Sequence, residues 1–299
     1  MEDPNRAILR RRNIVAVQPI LRALRTNSLG KWTAAAGKRE QARRYSEQLA
    51  HLLAVLLPHL RFRPKGKPGT DTGTRAQREH VVLAVIGTER GLCGRFNLTL
   101  VEYCEQHLRE LGVQAVTVEV VSLGTRVIRL MRSRKHVLHS AITFPPASLP
   151  PFEISVSLTR QWLERYERYA LDAVDVVYCE YRGGGSYTPC VTRVIPPLLP
   201  FAHIEDTEPW PSFEVETEPS ALCTRVVEQL TAVSFYDLLL KSSVAEHAAR
   251  SQLMDAATQN AQRALDELSL SIQLARQHAI TSEMQELAAG AGLLKRQRR

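Results

Sequence analysis

Three places in the chain carry residue types that could do chemistry. The first is a glycine-rich turn, Gly87-Thr88-Glu89-Arg90-Gly91-Leu92-Cys93-Gly94-Arg95-Phe96-Asn97, which follows a short apolar run. Turns of this kind can cradle phosphates. The spacing Gly87-x3-Gly91-x2-Gly94, however, fits neither G-x-G-x-x-G nor the phosphate-binding loop with its Gly-Lys-Ser/Thr ending. A tight backbone turn that needs glycine is the better reading. Cys93 has the thiol of a nucleophile, yet no His or Asp stands near it in a recognisable constellation, and a small buried residue needs no other role. The second place, Gly183-Gly184-Gly185, reads as a hairpin or loop tip. The third is a polar cluster, Arg276, Gln277, Thr281 and Glu283, beside the apolar positions Ile272, Ala275 and Ala279. Periodicity alone makes that cluster a solvated helix face. The nine histidines form no H-x-x-x-H pair and no His/Cys cluster, so no metal is expected.

The elements that must hold these residues are unequal in size. Residues 220–294 contain no proline, and their only glycines are Gly290 and Gly292 near the end. Proline inside a helix costs roughly 3 kcal/mol, so this stretch reads as one helix. At 1.5 Å per residue it would run on the order of 110 Å, wider than any single core, so it must project or pair. Steps of seven visit Val226, Val233, Leu240, His247, Met254, Ala261, Leu268 and Ala275. The companion series visits Leu230, Asp237, Val244, Ser251, Thr258, Leu265, Ile272 and Ala279. That is an imperfect heptad seam in need of a partner helix. Residues 1–57 supply one, with a narrow seam of Leu21, Ser28, Ala35, Ala42, Leu49 and Leu56 beside Leu24, Lys31, Lys38, Tyr45 and Leu52. Pro19 predicts a kink or a helix start.

Between the two helices lies a region of different composition. Residues 58–79 are rich in Pro, Gly, Thr and basic side chains and read as a mobile linker. Residues 80–205 then alternate strands (80–86, 116–121, 174–178) with helices (97–111, 125–132, 155–170), which implies a parallel sheet with helices on its faces. Residues 206–219 form an acidic, proline-bearing connection, and 295–299 a basic tail. The expected fold is therefore α/β plus a long antiparallel two-helix coiled coil, the α/β domain being Rossmann-like, three-layered and inserted between the terminal helices.

Composition narrows the classes. No apolar run approaches 18 residues, so no spanning helix is expected. Five cysteines, odd in number and never spaced Cys-x-x-Cys, argue against a disulfide framework or zinc site and for a reducing compartment. The first 80 residues hold 17 Lys/Arg against 6 Asp/Glu, and the remainder 22 against 25. A basic arm on a near-neutral body suggests an acidic partner surface: protein, lipid headgroups or nucleic acid. The arm lacks the interleaved aromatics of a nucleic-acid binder.

The sequence resembles the gamma subunit of F-type ATP synthases over nearly its whole length. In the last helix the matching residues are Ser243, Glu246, Ala249 and Arg250. Ala257, Thr258, Asn260 and Ala261 follow, then Ala275, Arg276, Gln277, Ile280, Thr281 and Glu283. The turn GLCGRFN resembles the family's Gly-Leu-Cys-Gly-Gly-Phe-Asn, with Arg95 in place of a glycine. Val177-Tyr178-Cys179-Glu180-Tyr181 loosely matches a family strand. In the first helix, Ile20 to Leu24 and Lys31 correspond to the family segment, while Thr26 and Asn27 stand where apolar residues are usual, and Gln273 where Asn is usual.

The resemblance implies a diverged, non-catalytic rotor shaft that binds no nucleotide or cofactor and has no catalytic site of its own. It would be a subunit of an ion-translocating ATP synthase that stands within the alternating alpha and beta subunits, beside the epsilon subunit and the ring of c subunits. Lys31, Arg276, Gln277, Thr281 and Glu283 would contact the hexamer. The implied location is peripheral, on the cytoplasmic face of a cell inner membrane. The family-like helix begins within the first dozen residues and leaves no room for a transit peptide, which implies a prokaryotic source. Pro19, Thr26, Asn27 and Arg95 favour the alternative, a non-rotary gamma paralogue acting as an assembly or interaction protein. A nucleic-acid-binding coiled coil that uses the basic arm is the third reading.

Overall fold

The structure, a computed structural model, describes residues 4–56, 79–113, 116–146, 148–197 and 218–290. The expected linker, most of the acidic connection and the basic tail lie outside them. Ten elements are described: α1 (Pro4–Leu56), β1 (His80–Ile86), α2 (Phe96–Val113), β2 (Thr117–Leu123), α3 (Thr125–Ser133), β3 (Ser140–Ile142), α4 (Phe152–Glu167), β4 (Ala173–Gly183), β5 (Ser186–Ile195) and α5 (Pro219–Gly290). The chain forms two units, Ser28–Arg250 and the pair of segments Met1–Asn27 and Ser251–Arg299, so α1 and α5 each contribute to both.

The larger unit is built on a five-stranded sheet in the order β3-β2-β1-β4-β5. β1 pairs in parallel with β2 and β4, and β2 with β3; β4 and β5 are antiparallel. The sheet is thus mixed, not wholly parallel. The reason is the triple glycine: Gly183, Gly184 and Gly185 all have positive φ, and they turn β4 straight back as a hairpin.

Six consecutive residues of β1, Val81 to Ile86, are buried, because both faces of the sheet are covered. On one face Val82, Ala84 and Ile86 join Trp162 of α4, Phe235 and Leu239 of α5, and Leu53 and Leu56 of α1. On the other, Leu83 and Val85 join Phe96, Leu100, Val127, Met131, and Ala245 and Ala249 of α5. Trp162 meets Phe235 edge to face at 5.2 Å between ring centroids. One helix therefore serves both cores, passing from one face to the other at the carboxyl end of the sheet. There Ser242 Oγ donates to the Ile86 carbonyl oxygen at 3.3 Å.

In the larger unit, buried positions on α1 are Ser28, Ala35, Ala42, Leu49, Leu53 and Leu56. Lys38 and Tyr45 are exposed, whereas the residues next to them, Arg39 and Ser46, are half-buried. Arg39 Nε pairs with Asp237 at 2.8 Å, which accounts for an aspartate on the apolar series of α5. In the smaller unit Ala7 and Ile14 pack on Leu268 and Ile272, Gln18 bonds Gln262 at 3.1 Å, and Arg25 meets Asp255 at 3.2 Å. Within that unit partner numbers fall on α5 as they rise on α1. Helix α1 continues through Pro19, and no helix starts there.

Candidate functional site

A buried polar cluster forms where the glycine-rich turn meets α5. Thr88 and Asn97 close the turn on itself. The Thr88 amide donates to Asn97 Oδ1 at 3.0 Å, Asn97 Nδ2 to Thr88 Oγ at 2.8 Å, and Thr88 Oγ to the Arg90 carbonyl at 2.8 Å. Gly87 is glycine because of space, since a Cβ there would lie 2.4 Å from Val127 Cβ. Gly94 is glycine because of conformation, with φ 61°. Arg95 is not among the positive-φ residues, so the backbone does not demand glycine there, and its side chain lies 3.7 Å from Glu102.

Arg250 of α5 holds this turn. Its Nε donates to the Gly91 carbonyl at 3.1 Å and its Nη2 to the Arg90 carbonyl at 3.3 Å, while Nη2 also pairs with Glu246 one helical turn back. Arg250 Nη1 lies 2.9 Å from His247 Nδ1. A guanidinium has no acceptor, so the ring nitrogen accepts and the imidazole is the neutral Nε2–H tautomer. Burial, reinforced by Arg250, Lys31 and Arg90, pushes the His247 pKa down to about 3. Burial pushes the Glu246 carboxyl up, opposed by Arg250. Glu89 ties the same turn to the segments that follow β2 and β3 at the same end of the sheet, by accepting from Thr125 Oγ and the Phe144 amide.

This cluster can hold a shape, and it offers little for catalysis. In an open α/β sheet, ligands enter the crevice beyond the carboxyl ends of the strands, where the order reverses. Here α5 runs past that end, and Arg250 takes the loop carbonyls for itself. Cys93 is buried and its thiol is raised by desolvation, the reverse of an activated nucleophile. Among the described residues no three His, Cys, Asp or Glu side chains gather to hold a metal ion.

The residues expected to contact a partner fall in two places. Lys31 lies in the larger unit, half-buried, with Nζ 3.4 Å from the Pro146 carbonyl. Burial lowers its pKa, helped by Arg90 and opposed by Glu246. Arg276, Gln277, Thr281 and Glu283 lie on α5 in the smaller unit, all exposed; Thr281 Oγ donates to the Gln277 carbonyl at 2.8 Å. Their neighbours include Leu270, Leu274, Ile280, Met284 and Leu287, which expose 46–74% of their surface. An isolated apolar side chain at the surface is ordinary, but five along 18 residues of one helix mark a surface awaiting a partner. The structure does not bring Lys31 into the same unit as the other four.

Sequence reasoning gave Arg250 and Glu246 no role. Their i, i+4 spacing was a usable signal. The carbonyls that Arg250 seizes lie about 160 residues away in the chain, and no pattern announces them.

A mixed sheet covered on both faces by helices, with its polar centre spent on structure, defines a helix-rich α/β scaffold. A family model described as ATP synthase matches residues 6–294, and the chain belongs to that family as a gamma chain. It is similar to the ATP synthase gamma chains of Rhizobium etli, 28% identical over 94% of this chain and 96% of the relative, and of Methylobacterium nodulans, 28% identical with the same coverage. Among solved structures its fold is similar to that in the central stalk and c-ring of the Tetrahymena thermophila mitochondrial ATP synthase. That likeness has a TM-score of 0.52 at 19% identity and covers 80% of this chain and 99% of the other. No described helix is long and apolar enough to cross a membrane.

Proposed function

We propose that this chain is the central-stalk subunit of an F-type ATP synthase, a coupler of ion translocation to ATP synthesis or hydrolysis that performs no chemistry itself. The observation that carries this reading is the free end of α5, where exposed Leu270, Leu274, Ile280, Met284 and Leu287 alternate with Arg276, Gln277, Thr281 and Glu283. Such a surface suits the inside of a sleeve of other subunits. In this reading α1 and α5 form an antiparallel coiled coil and the α/β domain is Rossmann-like. Alpha and beta subunits surround the helices, and Lys31 and the four polar residues of α5 touch them. The epsilon subunit and the c subunits lie beside the α/β domain, at the cytoplasmic face of the membrane.

The mechanism is mechanical. A ligand or partner shifts an equilibrium only by its differential affinity for two states. An asymmetric helix pair presents a different surface to each of three beta subunits as it turns, so each catalytic site passes through different affinities. The shaft must not soften, and this is what the Arg250 clamp and the two apolar cores provide. Arg95, which stands where the family has glycine, occupies a position that does not need it, so it gives no support to a non-rotary role.

The test is co-purification. A tagged full-length chain expressed in its source membranes is expected to recover alpha and beta subunits with ATPase activity, while the free chain hydrolyses no ATP. Recovery of the chain without beta subunit would refute the reading.

A further inference from the structure

The exposed side of α3 carries charge that the fold leaves unmatched. Arg126, Arg129 and Arg132 follow one another at steps of three, one turn apart on one stripe, and Lys135 continues the series beyond the helix. All four are exposed, while Val127, Ile128 and Met131 on the opposite side are buried in the core. Among the described residues none of the four has a carboxylate within ion-pair distance. The acids of the neighbouring α2 are spent elsewhere. Glu105 pairs with Arg134 at 2.6 Å and His136 at 2.9 Å, and Glu102 lies 3.7 Å from Arg95 and 3.9 Å from Arg134. Folding does not account for the stripe. Like charges one turn apart destabilise a helix. A cation in the first turn opposes the helix dipole, and α3 has no acidic residue there to offset Arg126. Only Arg132, in the last turn, suits the dipole. Arg126 is nevertheless held in place, its Nη2 lying 3.2 Å from where a Cβ on Gly91 would stand. Beyond the helix, Val137 leaves 88% of its surface exposed.

We infer that this face of α3 is a docking surface for an acidic helix of a partner protein. Its carboxylates, one turn apart, meet Arg126, Arg129, Arg132 and Lys135, and an apolar side chain covers Val137. A guanidinium fork takes a carboxylate with two parallel bonds. The one-turn repeat of the stripe is also the repeat of carboxylates at i, i+3 and i, i+4 along a helix face. A bilayer suits the surface less, because the apolar side of α3 is committed to the core and has nothing to insert. A single-stranded nucleic acid stacks on aromatic side chains, and residues 125–138 contain no Phe, Tyr or Trp. The surface lies in the larger unit and uses none of the residues assigned to partner contact, so it stands or falls independently of the proposed function.

The probe is a fluorescein-labelled, alanine-based peptide of about 20 residues, long enough to hold a helix in water, with glutamates one turn apart along one face. Fluorescence anisotropy follows its titration with the intact chain at about 0.1 M salt, where exposed charges more than about 10 Å apart are screened from one another. A second peptide of the same composition has its glutamates spread round the helix. Duplex DNA and vesicles of anionic phospholipid are tried as competitors. The expected result is one saturable site for the first peptide and clearly weaker binding of the second. Arg129→Glu with Arg132→Glu should weaken the first peptide about tenfold or more, and the neutral pair Arg129→Gln with Arg132→Gln should act in the same direction. Arg11→Glu with Arg12→Glu makes the same change in net charge at exposed positions of α1 and should alter affinity less than about twofold. Circular dichroism establishes that each variant is folded. No saturable site, equal affinity for the two peptides, or equal loss in the two glutamate variants overturns the proposal. Displacement of the peptide by DNA or vesicles more readily than by unlabelled peptide overturns the assignment of an acidic helix.

Discussion

Replacing His247 by Asn tests whether the polar centre is as tightly held as its geometry implies. The ring is 7% exposed. It accepts a hydrogen bond from Arg250 and faces the cations Arg250, Lys31 and Arg90, while the carboxylate of Glu246 pairs with the same Arg250. Its pKa falls from 6.5 to about 3 on folding. A depressed pKa means that the neutral ring's contribution to stability is complete above pH 6.5 and is lost as pH falls through the window down to about 3. Each unit within that window is worth about 1.4 kcal/mol, so acidification from pH 7 to pH 4 removes roughly 3 kcal/mol on account of this side chain. Asn keeps an acceptor for Arg250 and cannot titrate. The variant should be about 1–2 kcal/mol less stable at pH 7, because ring contacts are lost, and should then lose roughly 3 kcal/mol less than wild type on acidification. The raised pKa of Glu246 acts in the opposite sense, its contribution being full at low pH and lost as pH rises, but it is common to both proteins. Urea denaturation followed by circular dichroism at pH 7, 6, 5 and 4 makes the comparison. Parallel pH profiles for the two proteins would refute the reasoning.

Two further substitutions probe the same region. Arg250→Met strands the buried Glu246 and frees two loop carbonyls, so it should cost about 3–5 kcal/mol, with Glu246→Gln in the same chain recovering part; a loss under 1 kcal/mol in urea denaturation would show that the clamp is ornamental. Gly87→Ala drives a methyl against Val127 and Asn97 and should lower stability by about 1–3 kcal/mol, visible as a reduced thermal midpoint; an unchanged midpoint would mean that the turn yields freely.

Much of this fold was readable before its coordinates. The absence of proline from 220–294 announced α5, and the run His80 to Ile86 announced β1, because backbone constraint and burial both leave local marks. What escaped was non-local. β5 (SYTPCVTRVI) carries a proline and half-exposed polar residues, as an edge strand can, and its pattern reads as loop unless the glycine tip before it is taken as a hairpin. β3 is three residues long and exists only because β2 lies beside it. On α1 the supposed seam residues Lys38 and Tyr45 proved exposed: a strict step of seven drifts about 20° per heptad on a straight helix. The polar centre was not read from the sequence: Glu246 and Arg250 stood there only as family-matching residues, and the loop carbonyls that Arg250 grips lie about 160 residues away in the chain.

The central claim, that this chain transmits force through the exposed end of α5 and catalyses nothing, is tested most directly by ATP-driven ion pumping. The complex is reconstituted with the chain carrying Arg276→Glu and Gln277→Ala together. Both side chains are exposed on α5, so their loss should leave stability within about 0.5 kcal/mol and helicity unchanged. Removing one partner of a charged interface contact typically costs roughly 2–5 kcal/mol, and such a cost at a coupling contact should abolish most pumping although the complex still assembles. Pumping at the wild-type rate by that double variant would contradict the account.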